Sequence, residues 1–126
     1  MTVMPPVVEI AMACADAPSL AAFWTQALGY VDHSPTQGPG RGFAWLMDPN
    51  GVGPHLALIE VPEPKTAKNR MHLDLNVAGD GSPDEQWQRI RDEVDRLSAF
   101  GASVLAEFDH DHVTMADPEG NEFDVC

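Results

Sequence analysis

Basic residues are scarce: 7 Lys and Arg stand against 20 Asp and Glu, giving the 126-residue chain a formal net charge of −13 at pH 7. Phosphate binding needs clustered Lys and Arg, and only Lys65, Lys68 and Arg70 come close together. Nucleic acid is therefore not expected as a partner. There are 2 cysteines, Cys14 and Cys126, which make no disulfide framework and no CxxC pair and fit a reducing compartment. The longest uninterrupted apolar run, Ile10 to Ala15, falls far short of the roughly 20 residues that cross a bilayer. No basic patch precedes an apolar stretch at the N-terminus, so the expectation is a soluble, unexported, cytoplasmic protein with no membrane partner. Phosphate loop, GxSxG elbow and a Cys with a credible base partner are all missing, which leaves nucleophilic catalysis without support. An acidic field suits a cationic or metal-bearing ligand.

What is present is an ordinary globular composition, 44% hydrophobic and 21% charged, in a length that suits one compact domain. The first half reads as a strand (7–14), a helix and three strands. Asp16 is a plausible N-cap, Leu20, Phe23, Trp24, Ala27 and Leu28 repeat at helical spacing, and Gly29 ends the run. Strands follow at 30–33, 42–47 and 55–61, with a mobile loop at 35–42 and a DPNG turn at 48–51. After a connector (62–70) the order recurs. A strand at 71–77 leads to the capping box Ser82-Pro83-Asp84-Glu85. Trp87, Ile90, Val94 and Leu97 then form a helical stripe that stops at Gly101, with strands at 102–108, 112–117 and 121–126. The segments 9–16 and 72–79, and the turns MDPNG (47–51) and ADPEG (116–120), mark the duplication. Two βαβββ modules, about 7–61 and 71–126, are expected to form one α+β domain over 1–126, a curved mixed sheet with a central cleft and outer helices.

Three segments, VVEIAMACADAPSLAAFWTQALGY (7–30), VPEPKTAKNRMHLDL (61–75) and MADPEGNEFDVC (115–126), resemble the vicinal oxygen chelate superfamily, in particular its small glyoxalase-like and bleomycin-resistance-like domains. The resemblance covers almost the whole chain. It implies the fold above and a homodimer, as relatives commonly are. It does not fix function, since the superfamily hosts lyases, isomerases, dioxygenases and drug-binding proteins on one scaffold.

Metal-binding members place a ligand on the first and last strands of each module. On this chain the resemblance puts those positions at Glu9, His72 and Asp124, where relatives usually carry Glu in the last place. The fourth lies on strand 55–61, where one register offers Glu60 and the next Ile59. Glu60 is the optional ligand or catalytic base, and Trp45 and His112 are the substrate-binding candidates. Two of these residues also stand out on their own. Glu9 is a lone acid beside apolar neighbours, costly to bury unpaired, and His72 sits in an alternating HLDL strand, where a hydrogen-bonded structural histidine is the ordinary reading. Trp45 either lines the cleft or fills the core. Asp109-His110-Asp111-His112 invites a metal reading but looks like a surface turn. One imidazole with two or three carboxylate oxygens suits divalent Mn, Fe, Ni, Zn or Mg. The expected activity is metal-dependent lyase, isomerase or dioxygenase chemistry on a small oxygenated metabolite. The alternatives are a metal-free small-molecule binding protein of the bleomycin-resistance type, or a subunit with a vestigial cleft.

Overall fold

The computed structural model describes residues 4–126. The chain divides into two compact units that meet at Pro64 and Lys65. The first contains β1 (Ile10–Cys14), α1 (Ala17–Leu28), β2 (Val31–Asp32), β3 (Phe43–Met47) and β4 (Leu56–Glu60). The second contains β5 (Leu73–Leu75), α2 (Pro83–Ala99), β6 (Ser103–Phe108), β7 (His112–Ala116) and β8 (Glu122–Val125). The fold is α+β, with the βαβββ order present twice and one four-stranded mixed sheet in each unit. Strand order is β1-β4-β3-β2 in the first sheet and β5-β8-β7-β6 in the second. In each, the first and last strands of the module pair in parallel and the other pairs are antiparallel.

Each helix forms where its caps and apolar stripe dictate. Asp16 accepts from the Ser19 amide at the start of α1, and Gly29 ends the helix at φ 68°, a left-handed conformation that glycine adopts without a Cβ penalty. Leu20, Phe23, Trp24 and Ala27 are buried, and α1 packs on β3 and β4, whose Ala44, Leu46, Leu56 and Leu58 are buried too. In the second unit the Ser82 hydroxyl accepts from the Glu85 amide and the Glu85 carboxylate accepts from the Ser82 amide, the reciprocal capping box. Trp87, Ile90, Val94 and Leu97 of α2 are buried, as are Val113, Met115, Phe123 and Val125 of β7 and β8. Because strand side chains alternate, each sheet has a helix-packed face and a face that no helix of its own unit covers. The second face is the one that matters for chemistry.

Two strands start later than the sequence pattern suggests. β1 begins at Ile10 and β5 at Leu73, so Glu9 and His72 stand just before their strands. Glu9 is not a buried acid: its side chain is 63% exposed and its Oε1 lies 3.2 Å from His55 Nδ1. The desolvation cost that singled it out in the sequence is therefore absent.

The Asp-His-Asp-His run does form a turn, and its first histidine has a structural task. His110, the single non-glycine residue with positive φ (59°) among the described residues, holds the β6–β7 turn to the start of α2. Its Nδ1 lies 2.8 Å from Asp109 Oδ1, its Nε2 lies 2.8 Å from Asp84 Oδ1, and its ring stacks on Trp87. Only an imidazolium donates from both nitrogens. Asp84 first, then Asp109, accordingly push the His110 pKa upward. A group whose folded pKa is raised contributes stability that is full below its unfolded pKa of about 6.5 and fades as pH climbs through the folded value. Thermal melts should show a Tm gap between wild type and His110→Gln that is larger at pH 5.5 than at pH 8.5; a gap that widens with pH would contradict the assignment.

Candidate functional site

The uncovered face of the second sheet collects polar groups by register. Asp74 of β5 is paired with Asp124 of β8, and Asp124 in turn with Thr114 of β7. Residues in register share a face, so these three stand in one row. His72, two residues before Asp74, stands at its end. Its Nδ1 lies 2.9 Å from Asp74 Oδ1 and 3.8 Å from Asp124 Oδ2. His72, Asp74 and Asp124 each offer a ligand atom, and those atoms all lie within 4.8 Å of one another. The Thr114 hydroxyl donates to Asp124 Oδ1 at 2.8 Å, fixing that carboxylate and leaving Oδ2 toward His72. Two carboxylates at such separation repel by about 1 kcal/mol even in water. The thiol of Cys126 registers the same field: burial pushes its pKa up, and Asp74, Asp124 and Asp111 add to the rise.

His112, the first residue of β7, borders this row on its other side. Asp111 Oδ2 lies 2.6 Å from His112 Nδ1, and the imidazole stacks on Phe108 with ring centroids 4.4 Å apart. A carboxylate on one ring nitrogen fixes both tautomer and ring orientation. Nε2 is left 4.0 Å from Asp124 Oδ2. Glu122, also on this face, is spoken for. It accepts from the Asn69 amide at 3.0 Å and lies 3.2 Å from Lys65 Nζ; the Asn69 bond, then Lys65, holds its carboxyl below the usual range. The connector is thereby tied to β8.

The uncovered face of the first sheet is mostly apolar. Ala11, Ala13, Ala57, Ile59, Phe43, Trp45 and Met47 share it by alternation and register. Glu9, His33, Trp45, Met47, His55 and Ala57 are among the residues lining a groove of about 440 Å³. Trp45 is 47% exposed and tilts against Phe43, so it belongs to the groove and not to the core. The loop beside it is anchored. Arg41, its side chain only 3% exposed, lies 2.7 Å from Asp32 Oδ2, and the Ser34 hydroxyl both donates to Asp32 and accepts from the Trp45 amide. Burial works to raise the Asp32 pKa, but the bonds from Ser34 and Arg41 outweigh it and hold it low.

The register left open on strand 55–61 is settled by β4. Ile59 is on the uncovered face, whereas Glu60 shares the helix side with Leu56 and Leu58 and its Oε2 accepts from the Ala17 amide at 2.8 Å. Of the residues singled out in the sequence, His72, Asp124 and His112 meet on one face of the second unit. Glu9 and Trp45 meet in the groove of the first. Glu60 attends the first turn of α1. The sequence reading missed Asp74, Thr114, His33 and His55, and it set Asp111 aside as part of a surface turn. Asp74 had a legible signal: it is two residues from His72 in an alternating strand and so shares its face.

Comparison with known proteins agrees with this architecture. Solved structures with the same fold include a glyoxalase/bleomycin resistance protein/dioxygenase family enzyme from Burkholderia phytofirmans, 16% identical with a TM-score of 0.69 over 96% of this chain and 97% of that one. An S. aureus hypothetical protein is 16% identical at a TM-score of 0.64, covering 98% and 97%. The fosfomycin resistance protein FosX from Listeria monocytogenes, in a variant complexed with Mn(II) and 1S,2S-dihydroxypropylphosphonic acid, is 12% identical at 0.68, covering 98% and 90%. None of the curated proteins compared matches the sequence. The fold is thus that of the vicinal oxygen chelate superfamily. Residues 9–126 match the glyoxalase-like domain family, and the chain belongs to it.

Proposed function

We propose that this chain is a metal-dependent enzyme acting on a small oxygenated metabolite, with the divalent ion held on the uncovered face of its second sheet by His72 and Asp124. The observation that carries this reading is their convergence. The two residues that the superfamily resemblance assigns as ligands in this module stand 3.8 Å apart, with Thr114 orienting the carboxylate. The donors fit: an imidazole and carboxylate oxygens suit Mn, Fe, Ni, Zn or Mg, and no soft thiolate is involved. That FosX binds Mn(II) supports the choice of ion. A bound ion supplies Lewis acidity, polarising a substrate carbonyl or enediolate oxygen. His112, its Nδ1 held by Asp111, presents Nε2 to the same face and is the group that takes or returns a substrate proton. Lyase and isomerase chemistry begin with such a proton transfer, and the substrate selects between them. The resemblance gives Glu9 the matching position in the first module.

The test is calorimetric titration of chelator-treated protein with MnCl2, together with thermal melts with and without EDTA. One ion bound per chain and a lower Tm in EDTA support the reading; no binding and no shift reject it.

A second reading, a metal-free binding protein of the bleomycin-resistance type, is favoured by the groove of the first unit, where Trp45 lies open beside Glu9. Trp24 and Trp87 are buried, so Trp45 dominates the solvent-sensitive fluorescence. Its quenching by bleomycin in metal-free protein, weakening as salt rises, supports this reading; unchanged fluorescence counts against it.

A further inference from the structure

The superfamily pattern assigns two metal positions to the second module, the start of its first strand and the middle of its last, here His72 and Asp124. The structure puts a third donor among them. Asp74 Oδ1 lies 2.9 Å from His72 Nδ1, the same ring nitrogen that faces Asp124 Oδ2 at 3.8 Å. Donors on one ion with bonds of about 2.1 Å stand about 3 Å apart at right angles and about 4 Å apart across it. Both separations fall in that range, and the three donor atoms close a triangle with no side above 4.8 Å.

Register explains why the triangle forms. Asp74 and Asp124 are partners on the parallel strands β5 and β8, so backbone pairing alone sets their carboxylates side by side. Like charges directly opposite one another destabilise a sheet, and no Lys or Arg side chain forms an ion pair with either aspartate among the described residues. His72 offsets part of the repulsion at Asp74 and Thr114 satisfies one oxygen of Asp124. Each of these partners is neutral or holds at most one positive charge. A divalent ion would match both carboxylates at once. About half of the His72 and Asp74 side-chain surface is open to solvent, so the triangle keeps an accessible side for substrate.

We infer that Asp74 is a metal ligand, completing with His72 and Asp124 a donor set of one imidazole and two carboxylates that lies wholly within the second module. This inference rests on the proposed function above. It goes beyond that reading because it adds a ligand at a position the superfamily pattern does not use. It also makes the third donor a residue of this module, the part that the pattern gives to Glu9. Two carboxylates and one imidazole favour oxygen-seeking divalent ions, Mn(II) and Fe(II) ahead of ions that seek sulfur.

The experiment uses the full chain and MnCl2 as probe, with calorimetry for affinity and thermal melts in EDTA for folding, on wild type, Asp74→Asn, Asp74→Ser and His72→Ala. Asp74→Asn and Asp74→Ser should weaken Mn(II) binding by more than about 100-fold, beyond the roughly 10–100-fold that loss of a group merely supporting a ligand costs, and the EDTA Tm of Asp74→Asn should equal or exceed that of wild type because a like-charge contact is gone. A purely structural role would lower affinity and EDTA Tm together, and that outcome overturns the inference. Affinities of both Asp74 variants within about 100-fold of wild type, with binding lost in His72→Ala, overturn it too while leaving the proposed function standing. Absence of Mn(II) binding by wild type overturns both.

Discussion

Trp24→Ala should destabilise the first unit by about 3–5 kcal/mol. Trp24 has no exposed surface, sits in the middle of α1 and meets Phe23 edge to face with ring centroids 5.2 Å apart. In the same unit Leu20, Leu46, Leu56 and Leu58 are all almost fully buried, and α1 packs on β3 and β4. Removing an indole from such a site loses its transfer free energy and leaves a cavity that flanking strands cannot close, because β3 and β4 are fixed to each other by register. Domains of this size are commonly stable by only about 5–15 kcal/mol, so the loss is a large fraction of the whole. Urea unfolding followed by circular dichroism checks it: the midpoint should fall substantially, and a change below about 1 kcal/mol would show that α1 is not the keystone of its unit.

His72→Ala should abolish measurable Mn(II) binding, exceeding the roughly 10–100-fold that changes to groups merely supporting a ligand produce. His72 is the one imidazole in the donor triangle and the residue that faces both carboxylates. Without it the remaining donors are two adjacent aspartates, a weaker and less selective pair. His110→Ala is the matched control. That histidine is engaged with Asp84 and Asp109, so its loss should lower stability at acidic pH and leave Mn(II) affinity unchanged. Equal losses in both variants would mean that the metal responds to folding and not to a ligand.

Much of the fold was legible before any coordinates, for definite physical reasons. Asp16 and Gly29 bound α1, the Ser82–Glu85 capping box opens α2, and the apolar stripes of both helices are the buried ones. Local signals of this kind depend on neighbours a few residues apart. The site was legible only in part. His72, Asp124 and His112 are on one face; the first two were found through the family resemblance, and His112 as a candidate substrate contact at the start of its strand. Glu60 against Ile59 was undecidable because a shift of one residue exchanges the faces of a strand, and nothing in the sequence around LALIE fixes the pairing with β1 and β3. Asp74 shares the face of His72 by the alternation of HLDL, a signal legible in the sequence, but its pairing with Asp124, fifty residues on, is revealed only by the parallel register. Glu9 drew too much, since its apparent burial vanished once β1 began at Ile10, three residues later than the pattern suggests.

Charge gives the account its direction. With a net charge of −13 the chain attracts cations over distance, and the uncovered face of the second sheet concentrates that field at one row of residues. Helix-facing positions are apolar throughout β8, at Phe123 and Val125, while the alternate positions are Glu122 and Asp124. A strand that alternates this strictly presents its acids by design of register, and the metal reading follows from where they converge.

The most direct measurement is the anomalous scattering of crystals grown with MnCl2. The account predicts a single strong peak about 2.0–2.3 Å from His72 Nδ1 and from a carboxylate oxygen of Asp124. A peak elsewhere on the molecule, or none in protein that is well ordered at His72 and Asp124, would contradict it.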